Sequence, residues 1–267
     1  MLHSRARRAV LVLAATGLAA CAVGPPNPPP PGLPGEIRVG VTSSYPPIIF
    51  RLGGPTTGTI AGVEADLARR LGEGLGRPIR FIEVRWEEQI DMLLSRRTDI
   101  IMSGMSVTQA RRVRISFAEP YLETGQAVAM RIEDAARYDT RDKLAASIPT
   151  IGVIEGTTGD VFVQRNLPNA RRVQLSRASD GALALKRRTV DVFIHDAPSI
   201  MWLVSENEAD LAGAWQPLTR ESLAWGLRRE DTELFAHIND LLRGWKADGT
   251  LDAVLNKWLP YRRPAGQ

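Results

Sequence analysis

An α/β fold of two modest lobes is what this sequence predicts, on three observations. Short apolar runs rich in Val and Ile alternate along the chain with helical stripes, so strand-then-helix units recur throughout. Two of these units, Asp99–Arg111 and Thr150–Phe162, pass from strand to helix through small polar residues and glycine, where open α/β sheets present ligand loops. A chain of 267 residues with 44% hydrophobic and 24% charged content is ordinary globular material, long enough for two cores.

The first elements are a targeting signal and a spacer. Arg5, Arg7 and Arg8 precede an apolar run from Ala9 to Ala20, too short to span a bilayer and suited to a signal-peptide core. Residues 1–20 are therefore expected to be removed. The run ends in Leu18-Ala19-Ala20-Cys21, which resembles the lipobox of bacterial lipoproteins and implies an acylated Cys21 as the new N-terminus. Cys21 is the sole cysteine, so no internal disulfide is expected. Residues 21–35, proline-rich after the cysteine, favour an extended polyproline spacer between lipid anchor and folded chain. Removing the three leader arginines from 34 basic residues leaves 31 against 30 acidic ones, and the remaining Arg pairs are scattered, which argues against nucleic acid.

The folded part opens with Ile37, Val39 and Val41 alternating as a first strand. The loop Thr42-Ser43-Ser44-Tyr45-Pro46-Pro47 follows, then Val63, Leu67, Leu71 and Leu75 at helical spacing over Gly62–Leu75, with Glu64 and Asp66 placed to favour the helix N-terminus. Pro78–Val84 reads as a strand, and Trp86 as the start of a helix that turns Ile90, Leu93 and Leu94 inward.

The stretch Asp99–Arg111 carries the most chemistry. Ile100, Ile101 and Met102 form a buried parallel strand closed by Ser103 and Gly104, and Thr108 caps a helix at Gln109. Amides near Ser106 and Thr108 then lack intrahelical partners, and Arg111 one turn on offers a planar fork of donors, together a place for a small carboxylic acid. A second glycine-bearing turn, Glu155–Gly159, lacks the Lys-Ser/Thr of a phosphate loop. Gln126–Met130 reads as an extended crossing segment, Val190–Ile194 as a buried strand running into His195 and Asp196, and Ser222–Leu227 as a returning strand. Phe235, Ile238, Leu241, Leu242 and Trp245 keep helical spacing, and a last helix runs through Trp258. His3, His195 and His237 are too few for a metal site, no Gly-x-Ser-x-Gly surrounds Ser199, and no cofactor is expected.

Several of these segments, in order, resemble the bacterial extracellular solute-binding proteins of family 3, which serve polar amino-acid ABC transporters. They are the Ser-Gly-x-Ser-x-Thr loop at Ser103–Thr108 with Arg111, the Phe117-Ala118-Glu119-Pro120-Tyr121 element, Gly62-x-x-x-Asp66-Leu67, and the C-terminal run Trp245–Leu259. The resemblance covers about residues 36–261. It implies a periplasmic-binding-protein-like type II fold, two lobes with a double crossover hinge, divided as 36–127 and 222–261 for one lobe and 128–221 for the other.

By resemblance, Arg111, Ser106 and Thr158 hold a ligand carboxylate, and the Ser103 carbonyl, Ser106 and Asp196 hold its ammonium group beside Gly104. Tyr45 and Trp86 line the pocket, and His195 matches a residue beside that Asp in glutamine-type members. Each has a plainer reading: Tyr45 packing on prolines, Trp86 and His195 filling a core, Thr158 and Asp196 capping helices. Thr42 stands where many relatives carry Asp, so a polar or neutral side chain on the ligand is favoured over a cationic one. The implied function is a monomeric, lipid-anchored binding protein on the outer side of a membrane, handing an amino acid to an ABC permease. The resemblance leaves two alternatives: a dehydratase of cyclohexadienyl acids using Glu155 or Asp160, and a sensory or cell-wall module. The chain ends at Gln267 without a second catalytic or membrane domain, so the module would act through a separate partner.

Overall fold

Two five-stranded sheets, each covered by helices, carry the molecule in a computed structural model that describes residues 35–54 and 57–260. The expected signal at 1–20, Cys21, and the spacer at 21–35 save for Gly35 lie outside the described residues.

The first sheet begins with β1 (Ile37–Val41), whose alternating apolar residues are all fully buried. A small antiparallel meander follows, β2 (Ser44–Tyr45), β3 (Ile49–Leu52) and β4 (Thr59–Ala61), and leads into α1 (Val63–Leu75). The stripe read from sequence is the buried face of α1, Val63, Leu67 and Leu71, and Gly76 ends the helix in the left-handed conformation at φ 62°. Next come β5 (Ile79–Glu83), α2 (Gln89–Leu94), β6 (Ile100–Ile101), α3 (Gln109–Arg112) and β7 (Ser116–Phe117). Trp86 does not begin an α-helix; it opens a single 3₁₀ turn, Trp86–Glu88, ahead of α2.

The chain then crosses through β8 (Leu122–Thr124) and enters the second sheet as β9 (Gln126–Arg131), a six-residue strand buried throughout. The crossing is therefore shorter than Gln126–Met130 suggests: burial on both faces makes that apolar run an interior strand, paired with its neighbours on either side. The second sheet continues through α4 (Ala135–Tyr138), α5 (Arg141–Ala146), β10 (Thr150–Ile154), α6 (Thr158–Asn166), β11 (Arg171–Leu175), α7 (Gly181–Lys186), β12 (Val192–Asp196), α8 (Ala197–Ser205) and β13 (Leu211–Ala214). The chain returns by β14 (Glu221–Leu223), paired antiparallel with β8, and inserts β15 (Gly226–Leu227) into the first sheet. What reads as one strand over Ser222–Leu227 is thus two, one in the crossover and one in a lobe. Helices α9 (Thr232–Ala247) and α10 (Thr250–Trp258) pack back on α1.

The strand orders β5-β1-β6-β15-β7 and β11-β10-β12-β9-β13 follow one plan: three parallel strands, then an antiparallel strand supplied by the crossover. Two lobes linked by two neighbouring strands, β8 and β14, form a type II binding-protein architecture with a double crossover. Both sheets send the carboxyl ends of their central parallel strands toward loops that carry polar residues, at Ser103, Thr158 and Asp196.

Asp66 ties the first lobe together: its Oδ2 accepts from Lys257 Nζ at 2.6 Å and Trp258 Nε1 at 2.8 Å, joining α1 to α10. Glu64 has a less ordinary setting. It is fully buried against Tyr121 and Trp225, and its Oε2 accepts the Gly104 N–H at 2.7 Å, fixing the Ser103–Thr108 loop from behind. Burial pushes its carboxyl up to about 8, an effect its hydrogen-bonding neighbours offset only in part. Between pH 4.5 and 8 the folded chain thus holds a proton that the unfolded chain has released. Stability from this group is complete below about pH 4.5 and falls by about 1.4 kcal/mol per pH unit as pH rises toward 8. Urea melts of Glu64→Gln across pH 5–8 should show a slope smaller by that amount; an unchanged slope would mean that Glu64 titrates normally.

Candidate ligand-binding cleft

All ten residues singled out in the sequence line one cleft of about 760 Å³ between the sheets: Thr42, Tyr45, Trp86, Ser103, Gly104, Ser106, Arg111, Thr158, His195 and Asp196. Arg111 reaches it from α3 beside the first sheet, and Asp196 from the end of β12 in the second.

Several local structures differ in detail from the sequence reading, and two of the differences free a side chain. The cap of α6 is Thr157, whose Oγ1 accepts the Asp160 N–H at 3.2 Å, so the neighbouring Thr158 hydroxyl is not consumed in capping. Asp196 sits at the N-cap position of α8 but makes no side-chain cap bond. Its Oδ1 accepts from Gln126 Nε2 and its Oδ2 from the Tyr45 hydroxyl. A carboxylate offers about four lone-pair sites, so two remain for a ligand. Thr108 does cap α3, accepting the Arg111 N–H at 3.2 Å. The loop amides are not all available, however, because Val107 N–H donates to the Ser222 carbonyl at 2.9 Å and ties the loop to β14.

Arg111 crosses the cleft. Its Nη1 donates to the Ser106 carbonyl at 2.8 Å and its Nη2 to the Gly156 carbonyl of the other lobe at 3.3 Å, while the guanidinium carbon stands 5.0 Å from the Trp86 ring centroid. Trp86 lines the cleft and also packs against the small core around Leu93, Met105 and Phe117. Burial draws the Arg111 pKa down from the usual guanidinium value, opposed by the charges of Asp196 and Glu221. Thr42 serves the scaffold: its N–H donates to Ser103 Oγ at 2.8 Å, its hydroxyl donates to the Val84 carbonyl at 2.9 Å, and Gln89 Nε2 donates to that hydroxyl. Gly104, at φ 65°, is required on two counts, the left-handed backbone and the Tyr45 ring, which a Cβ there would strike.

Burial pushes the Asp196 carboxyl up to about 7, and the Glu221 carboxylate adds to the effect. His195 is held neutral down to about pH 4, again by burial, and its Nδ1 accepts the Asp196 N–H at 2.8 Å. The imidazole meets the Tyr45 ring edge-on at 4.8 Å between centroids, so it is both a packing residue and part of the cleft wall.

Two participants escaped the sequence reading, Gln126 and Glu221. Gln126 Nε2 lies within hydrogen-bond reach of Asp196, of Thr158 Oγ1 at 3.0 Å and of Glu221 Oε1 at 3.1 Å. The Glu221 Oε2 accepts from the hydroxyls of Ser106 at 2.6 Å and Thr158 at 2.7 Å, and its Oε1 from Thr219 at 2.7 Å. Gln126 opened a segment read only as a crossing strand, and Glu221 stood one residue before another, Ser222–Leu227; a polar side chain beside an extended run was the available signal. The acids suggested for catalysis separate. Glu155 lines the cleft, whereas Asp160 is buried against Arg172 at 2.7 Å and the Gly156 N–H at 3.1 Å.

A cleft between two such lobes, with a guanidinium and a buried carboxylate on opposite walls, invites comparison with known proteins. The profile of Bacterial extracellular solute-binding proteins, family 3, matches residues 37–261. The chain belongs to this family. A similar relative is the ABC transporter arginine-binding protein 1 of Escherichia coli, 29% identical over 231 residues, 84% of this chain and 91% of that protein. Another is the Cyclohexadienyl dehydratase of Pseudomonas aeruginosa, 31% identical over 232 residues, 86% of this chain and 85% of that one. Among solved structures, a mutant of ArgBP from T. maritima superposes with a TM-score of 0.78 at 30% identity, covering 85% of this chain and 96% of that one. Family 3 membership thus rests on nearly the whole folded part, and its relatives include amino-acid-binding proteins of ABC transporters. No helix among the described residues is long and apolar enough to cross a membrane.

Proposed function

We propose that this family 3 protein binds a small amino acid between its lobes and presents it to an ABC permease, as a monomer tethered to a membrane through acylated Cys21. The observation that carries the reading is the facing pair, Arg111 from one lobe and Asp196 from the other, across a cleft that also holds a tryptophan and a tyrosine. A zwitterion leaving water needs a partner at each charged end, and this pair supplies one of each sign. Because the partners come from opposite lobes, binding favours the closed arrangement, the form a permease would read. Thr42, spent on the loop scaffold and bearing no charge, favours a polar or neutral ligand side chain. Residues 36–127 with 222–261, and 128–221, are the proposed lobes.

The test is mass spectrometry of ligand carried through purification, followed by a thermal-shift screen of the amino acids. A bound amino acid at 100 times its Kd should add about 2.7 kcal/mol of stability and raise the melting point. A screen in which no amino acid moves it would reject the reading.

One observation favours a second reading. Asp196, with its carboxyl at about 7, is an acid able to hold and release a proton near neutrality, and a relative at 31% identity is named as a dehydratase. In that reading Asp196, rather than Glu155 or Asp160, is the acid. Turnover of prephenate or arogenate by the pure protein would establish it, and stable binding without turnover would exclude it.

A further inference from the structure

We propose that Glu221 is an internal stand-in for a ligand carboxylate, holding the two lobes together through the Ser106 and Thr158 hydroxyls and giving them up when a ligand carboxylate enters. It rests on the amino-acid reading only for the chemistry of the displacing group.

The argument is a count of protons. A hydroxyl has one to donate. Ser106 Oγ gives its proton to Glu221 Oε2 at 2.6 Å, and Thr158 Oγ1 gives its own to the same oxygen at 2.7 Å. Thr158 Oγ1 further accepts from Gln126 Nε2 at 3.0 Å, which fixes the hydroxyl's direction. Neither hydroxyl can serve a second carboxylate while Glu221 remains. These are the two hydroxyls that, with Arg111, the family resemblance implies for a ligand carboxylate, and Glu221 meets both of them. Thr219 fills a third lone-pair site of Glu221 on Oε1, and the two Gln126 N–H groups are divided among Glu221 Oε1, Thr158 Oγ1 and Asp196 Oδ1, so at least three sites of Glu221 are filled while Asp196 keeps at least two open. Glu221 thus takes most of its hydrogen bonds from the protein itself.

Position makes the contact conformational. Ser106 follows β6 of the first sheet, Thr158 begins α6 above the second, and Glu221 lies on β14, the crossover strand paired with β8. One carboxylate therefore joins both lobes from the hinge between them. Charge-assisted hydrogen bonds are the strong kind, and both lobes contribute one. An arriving ligand carboxylate, guided by Arg111, would accept the two hydrogen bonds in place of Glu221.

Two readouts on Glu221→Ala test this. Without ligand, small-angle scattering should show the variant more open than wild type, by about 1 Å on the ~17 Å radius of gyration expected for a compact folded part spanning residues 36–261. With ligand, calorimetry would compare L-glutamine and L-arginine, each against its own α-carboxamide. The cost of closing the lobes is common to acid and amide and cancels in their affinity ratio, so the ratio isolates the carboxylate place. Freed of its internal competitor, that place should favour the acid about tenfold more strongly in the variant than in wild type. An unchanged radius or an unchanged ratio each overturns the proposal. If no probe binds either protein, the amino-acid reading falls and scattering alone still decides whether Glu221 holds the lobes. Should Glu221→Ala fail to melt cooperatively, Glu221→Gln, which keeps the volume and removes the charge, carries both readouts with the same signs.

Discussion

Arg111→Ala is expected to weaken amino-acid binding by about 2 to 5 kcal/mol, the cost of leaving a desolvated carboxylate without its charged partner. The magnitude follows from where the guanidinium lies. It is held between the Ser106 carbonyl of one lobe and the Gly156 carbonyl of the other, with the Trp86 ring alongside. These contacts orient the fork before any ligand arrives, so little rotamer freedom is lost on binding. Within the described residues no carboxylate ion-pairs with it; Asp196 and Glu221 act on it at longer range. Its positive charge is accordingly available to a ligand. Arg111→Lys separates charge from geometry: an ammonium on the same stem keeps the attraction but cannot offer two parallel donors, so an intermediate loss is expected. Calorimetry on both variants, with melting curves to show that the fold persists, gives the comparison. Wild-type affinity in Arg111→Ala would reject the site.

How much of this was legible in the sequence differs between fold and site. Periodicity exposed α1, α9 and α10 because each has one buried stripe, and it exposed β1 because alternation is strict there. The crossover was harder. Gln126–Arg131 is buried on both faces, so its sequence has no alternation to distinguish a lobe strand from a linker, and only its pairing with β12 and β13 settles the matter. In the site, Arg111, Thr158 and Asp196 stand at strand-to-helix turns, which sequence marks well. Glu221 does not. Its role depends on donors from Ser106, 115 positions away, and from Thr158, 63 positions away, and no local pattern encodes such a meeting. Likewise Thr157 and Thr158 are adjacent and chemically alike; only the backbone decides which one caps and which one faces the cleft.

Asp196→Asn should move stability and binding in opposite directions. Binding loses the carboxylate proposed to meet the ligand's ammonium group, at an expected cost of about 3 to 5 kcal/mol for one missing partner of a buried charge pair. The empty protein gains. With a folded pKa of about 7 against an ordinary 3.8, Asp196 stays protonated in the fold after it has ionised in the unfolded chain, so it favours folding fully below about pH 4 and progressively less as pH rises to 7. By pH 8 the charged form has withdrawn up to about 4 kcal/mol, which an uncharged asparagine does not forfeit. The gain is trimmed because Tyr45 and Gln126 both donate to Asp196 and the amide retains one acceptor oxygen for the two, a loss of about 1 kcal/mol. The same carboxyl sets the pH dependence of binding. An ammonium ligand requires the ionised form, so wild-type affinity should rise with pH up to about 7 and level off above, falling toward tenfold per unit on the acid side. In Asp196→Asn that profile should be flat. Urea melts of the empty protein at pH 8 and calorimetry from pH 5 to 8 would show both effects. A variant that binds worse and is also less stable at pH 8 would mean that burial does not raise the Asp196 carboxyl, and the polarity of the cleft wall would need another source.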